Sequence, residues 1–262
     1  MPVLLERRRH VGLVTLSRPH LRNCWGEDFN REFLAVFHEI NHDDEIRCVV
    51  VTGDDAGKAF SAGADLKNPD THSTSSMADF IKDLPNWRDF PVRVVSDCPK
   101  PVIAAVNGYA IGIGCILTYS CDLIVASERA EWRLPQTKLG IMPAYGGAVR
   151  LARWIGKGNA MKLALGFPMS GDEAHRVGLA QWFVPHEQLM KTAFEVAEAI
   201  AVQPPLSTRL TKESLDRGLD IPNINDASLA DAYRFMALEL TEDKKVAHEA
   251  WREKKTPNIT GR

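Results

Sequence analysis

The chain is short of cysteine, and what it has is not spaced for redox or metal chemistry. Its five cysteines (Cys24, Cys48, Cys98, Cys115, Cys121) form no CxxC pair and sit mostly in apolar runs. That is the pattern of reduced core thiols in a cytoplasmic protein, not of a disulfide framework. Neither charge is in excess: 32 basic and 34 acidic residues leave a net charge of −2. No block of like charge offers a stripe for nucleic acid. Long hydrophobic runs are missing too. Stretches such as 101–106 fall far short of the roughly 20 apolar residues that span a bilayer. The basic start of the chain is not followed by a signal-type apolar segment. The expectation is a cytoplasmic protein with neither a nucleic-acid nor a membrane partner.

What is present is enough apolar sequence for a sizeable core. A chain of 262 residues can build one core, or one core with a smaller appended unit. Either would bury roughly 70% or more of the unfolded surface. Residues 11–17 alternate and are β-branched, and 46–52, 101–107 and 122–127 are nearly continuous apolar runs, which predicts four strands. Between the first two, 27–41 puts Phe29, Phe33, Val36, Phe37 and Ile40 on one face at helical spacing. Residues 68–83 are polar and aperiodic, as a surface excursion, a short loosely held helix or a lid would be. After Val184-Pro185 the strand signals stop. Segments 186–202, 206–216, 226–240 and 242–255 read as successive helices separated by Pro, Gly and Asn. An α/β core over 1–185 and a helical region over 186–262 are therefore expected.

Two segments carry a family resemblance. Residues 58–67, Lys-Ala-Phe-Ser-Ala-Gly-Ala-Asp-Leu-Lys, and 99–110, Pro-Lys-Pro-Val-Ile-Ala-Ala-Val-Asn-Gly-Tyr-Ala, closely resemble the two defining motifs of the crotonase (enoyl-CoA hydratase/isomerase) superfamily. Gly112-Ile113-Gly114-Cys115, Cys121-Asp122-Leu123, Leu139-Gly140-Ile141, Tyr145-Gly146-Gly147 and Glu253-Lys254-Lys255 are similar to later landmarks, so the resemblance runs through nearly the whole chain. It implies a spiral of strand–strand–helix turns, followed by helices that mediate a homotrimer, commonly as a dimer of trimers. The substrate it implies is an acyl-CoA thioester, with coenzyme A as part of the substrate and no separate cofactor.

The resemblance also implies an oxyanion hole made by the backbone N–H groups of Ala64 and Ile113, each at the start of a helix. There, unpaired donors and the positive end of the helix dipole favour an anion. Such paired donors stabilise the oxyanion formed when a thioester is enolised or attacked. Gly63 and Gly112 permit tight or left-handed turns and let the thioester approach the main chain. By the same resemblance Ala62, Asp65, Leu66 and Lys67 border the CoA moiety with Gly112, and Phe235 and Lys254 reach it from C-terminal helices of the same or a neighbouring subunit. Lysine suits phosphate as a flexible point charge, although surface solvation is its usual fate. Gly108, Gly112 and Gly114 do not make a dinucleotide loop, because Leu117 stands where its third glycine is required.

The pattern then breaks. Ordinary hydratases of the family hold a water between two glutamates that shuttle protons. Counting through the match, those positions are Ile116 and Gln136. Isoleucine neither binds water nor moves a proton, and glutamine orients water without an acid–base equilibrium. Tyr145 is the first substitute, a phenol with a reference pKa of about 10 that donates at neutral pH; beside paired glycines it could equally be a packing residue. Tyr119, one helical turn beyond Ile116, is a weaker second. Asp122, Glu131 and Arg133 are expected to be structural or superficial, and His72 lies in the polar excursion. Trp25, Trp87 and Trp132 hint at a bulky acyl pocket, but such tryptophans are more often core.

Other readings stay open at this stage. One is a crotonase-like decarboxylase or hydrolase, and another is an acyl-CoA binder without catalysis. The remote one is a zinc hydrolase, since His38-Glu39-Ile40-Asn41-His42 is a formal HExxH whose histidines share a helix face. No obvious third ligand follows it, and no metal is expected.

Overall fold

The structure is a computed structural model and describes residues 2–67, 76–83 and 90–262. Six strands form the larger sheet, in the order β1 (Val3–Arg8), β2 (Val11–Leu16), β3 (Cys48–Gly53), β5 (Val102–Val106), β7 (Leu123–Ser127) and β10 (Trp182–Val184). Only the β1–β2 pair is antiparallel; the others are parallel. A smaller sheet orders β4 (Ala59–Ser61), β6 (Tyr109–Ile111), β8 (Glu131–Arg133) and β9 (Met169–Ser170).

The helices are α1 (Glu27–His42), α2 (Met77–Asp83), α3 (Pro91–Ser96), α4 (Ile113–Thr118), α5 (Gly147–Ala164), α6 (Gly171–Arg176), α7 (Leu189–Ala201), α8 (Pro205–Gly218), α9 (Ile224–Glu239) and α10 (Glu242–Glu253). The chain thus winds through β3–β4–α2–α3, β5–β6–α4 and β7–β8–α5. Each turn gives one strand to the large sheet, one to the small sheet, and then a helix. This is the strand–strand–helix spiral expected from the resemblance. Of the excursion at 68–83, α2 is described, while His72 and Trp87 lie outside the described residues.

The four strands expected from the sequence are the centre of the large sheet. Every residue of β3 and β5 is buried, because both faces of a parallel sheet are covered. On one face α1 lays down Phe29, Phe33, Val36, Phe37 and Ile40, the five residues its spacing predicted. They join Val14, Val49, Val51 and Ala104 in the main core. On the other face α7 presents Leu189, Ala193, Ala197 and Ala201, four residues apart. This mostly alanine stripe packs against Leu13, Val50, Ile103 and Val125.

A partly buried ion pair ties α8 to this body. Lys212 Nζ donates to Asp122 Oδ2 at 2.7 Å and to the Lys100 carbonyl at 3.2 Å, and the same carboxylate oxygen accepts the Val102 N–H at 2.7 Å. Burial raises the Asp122 pKa, and Lys212 pulls it back down. Beyond α8, no residue of α9 is buried. In α10, buried Asp243 accepts the N–H groups of Thr260 and Gly261 and so folds the C-terminal residues back on the helix.

Candidate functional site

The two peptide groups singled out in the sequence share one feature: the carbonyl of each is pinned from behind. In the first, the Gly63 carbonyl accepts the Trp25 N–H at 2.9 Å, and the Trp25 carbonyl accepts the Asp65 N–H at 2.9 Å. This parallel bridge holds the Gly63–Ala64 peptide on its carbonyl side. The Ala64 N–H, trans to that carbonyl, is turned to the opposite side. In the second, the Gly112 carbonyl accepts the Ile116 N–H at 3.0 Å, the first hydrogen bond of α4. The Ile113 N–H is therefore a free donor at the open end of the helix. Ile113 starts a helix as expected. Ala64 does not: it sits in the bridge to Trp25 and is followed by a bend, because pairing with the 23–25 segment holds it extended.

Both turns need glycine. Gly63 has φ +90° and Gly112 has φ +56° with ψ −118°, conformations that a Cβ resists. The two glycines also face each other: a Cβ built on Gly112 would stand 3.9 Å from the Gly63 Cα and 3.7 Å from Gln136 Nε2. Gln136 opens a short 3₁₀ turn after Pro135, so its amide lies beside the second donor's turn. Its Oε1 is shielded from solvent and has no hydrogen-bond partner among the described residues.

Ile116 is buried, and its Cδ1 lies 2.8 Å from where a Cβ on Gly147 would stand. Ile116 is thus part of an apolar wall closed by the Pro143–Gly147 turn. Tyr145 projects from that turn in a left-handed conformation, φ +56°. It is 55% exposed and its ring stacks on Phe90, with centroids 3.9 Å apart and planes 19° apart. The pair borders a cavity of about 180 Å³ that also meets Arg93, Asp97 and Arg150.

Other candidates fall away from the two glycines. Tyr119 is fully buried, its hydroxyl has no partner among the described residues, and burial pushes its pKa well up. Trp132 is core, its indole N–H donating to Thr118 Oγ1 at 2.8 Å. Glu131 and Arg133 pair with each other near the surface. The His38 and His42 rings lie side by side on α1, tilted by 30° with centroids 4.3 Å apart, and among the described residues no group of three or more metal-ligating side chains forms. Among the residues assigned to CoA, Leu66 is 71% exposed. Phe235 on α9 and Lys254, the left-handed cap of α10, are also exposed. The sequence did not single out Ser61 and Asn23, both fully buried beside the first donor; for Ser61 the signal available was a polar residue between Phe60 and Ala62, and Asn23 carried none.

The comparisons with known proteins agree with this architecture. The sequence profile described as enoyl-CoA hydratase/isomerase matches residues 6–262. A short-chain-enoyl-CoA hydratase of Clostridium acetobutylicum is 37% identical over 255 residues, covering 97% of this chain and 95% of its own. A probable enoyl-CoA hydratase of Mycobacterium bovis is 34% identical over 263 residues, covering 99% and 98%. The crystal structure of an enoyl-CoA hydratase from Bacillus anthracis superposes with a TM-score of 0.91 at 31% identity and covers all of both chains. Motifs, spiral topology and whole-length similarity converge, and the chain belongs to the enoyl-CoA hydratase/isomerase family.

Proposed function

We propose that this enzyme holds the carbonyl of an acyl-CoA thioester between the N–H groups of Ala64 and Ile113, stabilises an enolate or tetrahedral oxyanion there, and is not an ordinary hydratase. The observation that carries the reading is the pair of pinned peptide groups on facing glycines. Their donors need no reorganisation as charge develops on the oxygen, which is the source of such stabilisation. The reaction that follows is limited by what stands beside the carbonyl. The Ile116 wall excludes water from one acid position. The Gln136 amide at the other can orient a polar group of the acyl chain but cannot exchange a proton with it. Decarboxylation or bare enolate formation fits this better than addition of water, with the Tyr145 phenol as the proton or hydrogen-bond donor.

Ala62, Asp65, Leu66 and Lys67 border the CoA moiety in this reading, and Phe235 and Lys254 reach it from a neighbouring copy. In support, no residue of α9 is buried in its own chain, and Leu229, Tyr233, Phe235 and Met236 along it are at least 55% exposed. An apolar surface of this kind marks an association site, and a homotrimer or dimer of trimers would cover it. No helix among the described residues is long and apolar enough to cross a membrane, and four of the five cysteines are buried free thiols, which supports a cytoplasmic setting. The Ile116 wall also favours a second reading, an acyl-CoA binder that has lost catalysis. Mass identification of the CoA ester that copurifies, followed by turnover on that ester, tests both. Recovery with turnover supports the enzyme, recovery without turnover supports the binder, and failure to bind any CoA ester sinks both.

A further inference from the structure

The glycine that permits the first donor's turn does not by itself hold it. Gly63 has φ +90°, and without a Cβ its backbone is free to leave that conformation, so the direction of the Ala64 N–H depends on what restrains the neighbouring peptides. The Trp25 N–H holds one of them through the Gly63 carbonyl. The other is held by Ser61. The Gly63 N–H donates to Ser61 Oγ at 3.2 Å, and the same hydroxyl donates to the Asn23 carbonyl at 2.8 Å. Ser61 is fully buried, and both capacities of its hydroxyl are used.

Asn23 is an anchor fixed on several sides. It is fully buried and left-handed, with φ +57°. Its Oδ1 accepts the Arg18 N–H at 2.9 Å and its Nδ2 donates to the Ala59 carbonyl at 2.8 Å. Ser61 also lies against the residue that follows the second donor. A Cβ built on Gly114, the residue after Ile113, would stand 2.6 Å from Ser61 Cβ and 2.9 Å from its Oγ. The side chain that holds the Gly63 turn is therefore in close contact with the first turn of α4.

We propose that Ser61 is a positioning residue that couples the two oxyanion donors, holding the Gly63 turn through its hydroxyl and setting that turn against the start of α4 through Gly114. The inference rests on the reading of Ala64 and Ile113 as the thioester cradle. Removing the hydroxyl leaves the Gly63 N–H without its acceptor in a buried site. The Ala62–Gly63 peptide is then free to turn, and the adjoining Gly63–Ala64 peptide, held only by its Trp25 bond across a residue without a Cβ, sets the direction of the Ala64 N–H less sharply.

The test uses butyryl-CoA labelled with ¹³C at the thioester carbonyl. The carbonyl stretch of the bound ester is compared in the natural protein, Ser61→Ala and Ser61→Cys, and calorimetry gives each Kd. A carbonyl held by two donors shifts to lower frequency than in solution. In Ser61→Ala that downshift is expected to be clearly reduced while Kd changes by less than about threefold, because the rest of the ester still supplies the binding energy. Ser61→Cys, whose thiol is a weaker donor and acceptor, is expected to keep an intermediate downshift. It also decides the matter if Ser61→Ala does not fold. A downshift of natural size in Ser61→Ala, or in Ser61→Cys where only that variant folds, overturns the coupling role and leaves the cradle intact. No downshift in the natural protein instead refutes the cradle itself.

Discussion

Substituting Gly112 by alanine separates backbone conformation from space. The would-be Cβ meets nothing closer than 3.7 Å, the Gln136 amide, so a methyl group is tolerated sterically. What is not tolerated is φ +56° with ψ −118°. Holding a non-glycine residue in such a conformation costs about 1–3 kcal/mol. The strain is relieved by rotating the Gly112–Ile113 peptide, which breaks the bond from the Ile116 N–H and turns the Ile113 N–H away. Loss of one oxyanion donor removes about 2.7–4 kcal/mol of transition-state stabilisation, or roughly 10²–10³ in turnover. Gly112→Ala is therefore expected to lower turnover of the copurifying ester by that factor. The cost in thermal stability stays within the strain energy, and affinity for the ester changes little. Gly112→Val, whose branches reach toward Gln136, should lose affinity as well. Turnover by single-substrate kinetics and Kd by calorimetry on the same preparation read the two effects apart. Parent-like turnover by folded Gly112→Ala would refute the assignment of the Ile113 N–H.

Tyr145→Phe keeps the ring that stacks on Phe90 and removes only the hydroxyl. The melting temperature should hold while turnover falls about tenfold or more; unchanged kinetics would leave Tyr145 as a stacking residue alone. Lys212→Met removes the partner of a carboxylate that is 23% exposed and should destabilise by less than the ~3–5 kcal/mol of a fully buried pair. Burial already raises the Asp122 pKa, and Lys212 is the first influence opposing that rise, so the variant's value lies higher still. A carboxyl whose folded-state pKa is raised favours folding below its unfolded pKa, and this advantage is lost as pH rises through the folded value. The deficit of Lys212→Met in urea unfolding should therefore be largest near neutral pH and shrink on acidification. A deficit independent of pH would contradict the pairing.

The parts of the fold that could be read in the sequence are those buried on both sides. β2, β3, β5 and β7 appear as apolar runs because α1 and α7 cover the two faces of their sheet, and α1 shows its core face at helical spacing. The small sheet was not legible by pattern. Its strands are two or three residues long, too short for alternation to register, and residues between the main strands of the spiral merely look like loops. The site divides in the same way. Position within the first motif led to Gly63, a later landmark to Gly112, and counting through the match to Ile116 and Gln136. The contact of Gln136 with Gly112 joins residues far apart in sequence, and no local pattern encodes it. Ala64 was expected to begin a helix, but a bridge from Trp25, across nearly forty residues of chain, decides its conformation. For Phe235 and Lys254 even the folded chain shows only exposure, because their contacts are expected on another copy.

In the proposed reading a thioester is polarised at Ala64 and Ile113 without the acids that would hydrate it. One spectrum tests both halves: the ultraviolet absorption of crotonyl-CoA mixed with a stoichiometric amount of the protein, followed over time. Two fixed N–H donors on the carbonyl should move the conjugated enoyl band to longer wavelength. With Ile116 and Gln136 in place of two acid–base groups, each typically contributing 10²–10⁴-fold, that band should decay at least about a thousandfold more slowly than with a standard hydratase. A shifted, persistent band is the predicted result. A band that never shifts would contradict the cradle, and one that vanishes at a normal hydratase rate would contradict the claim that hydration has been lost.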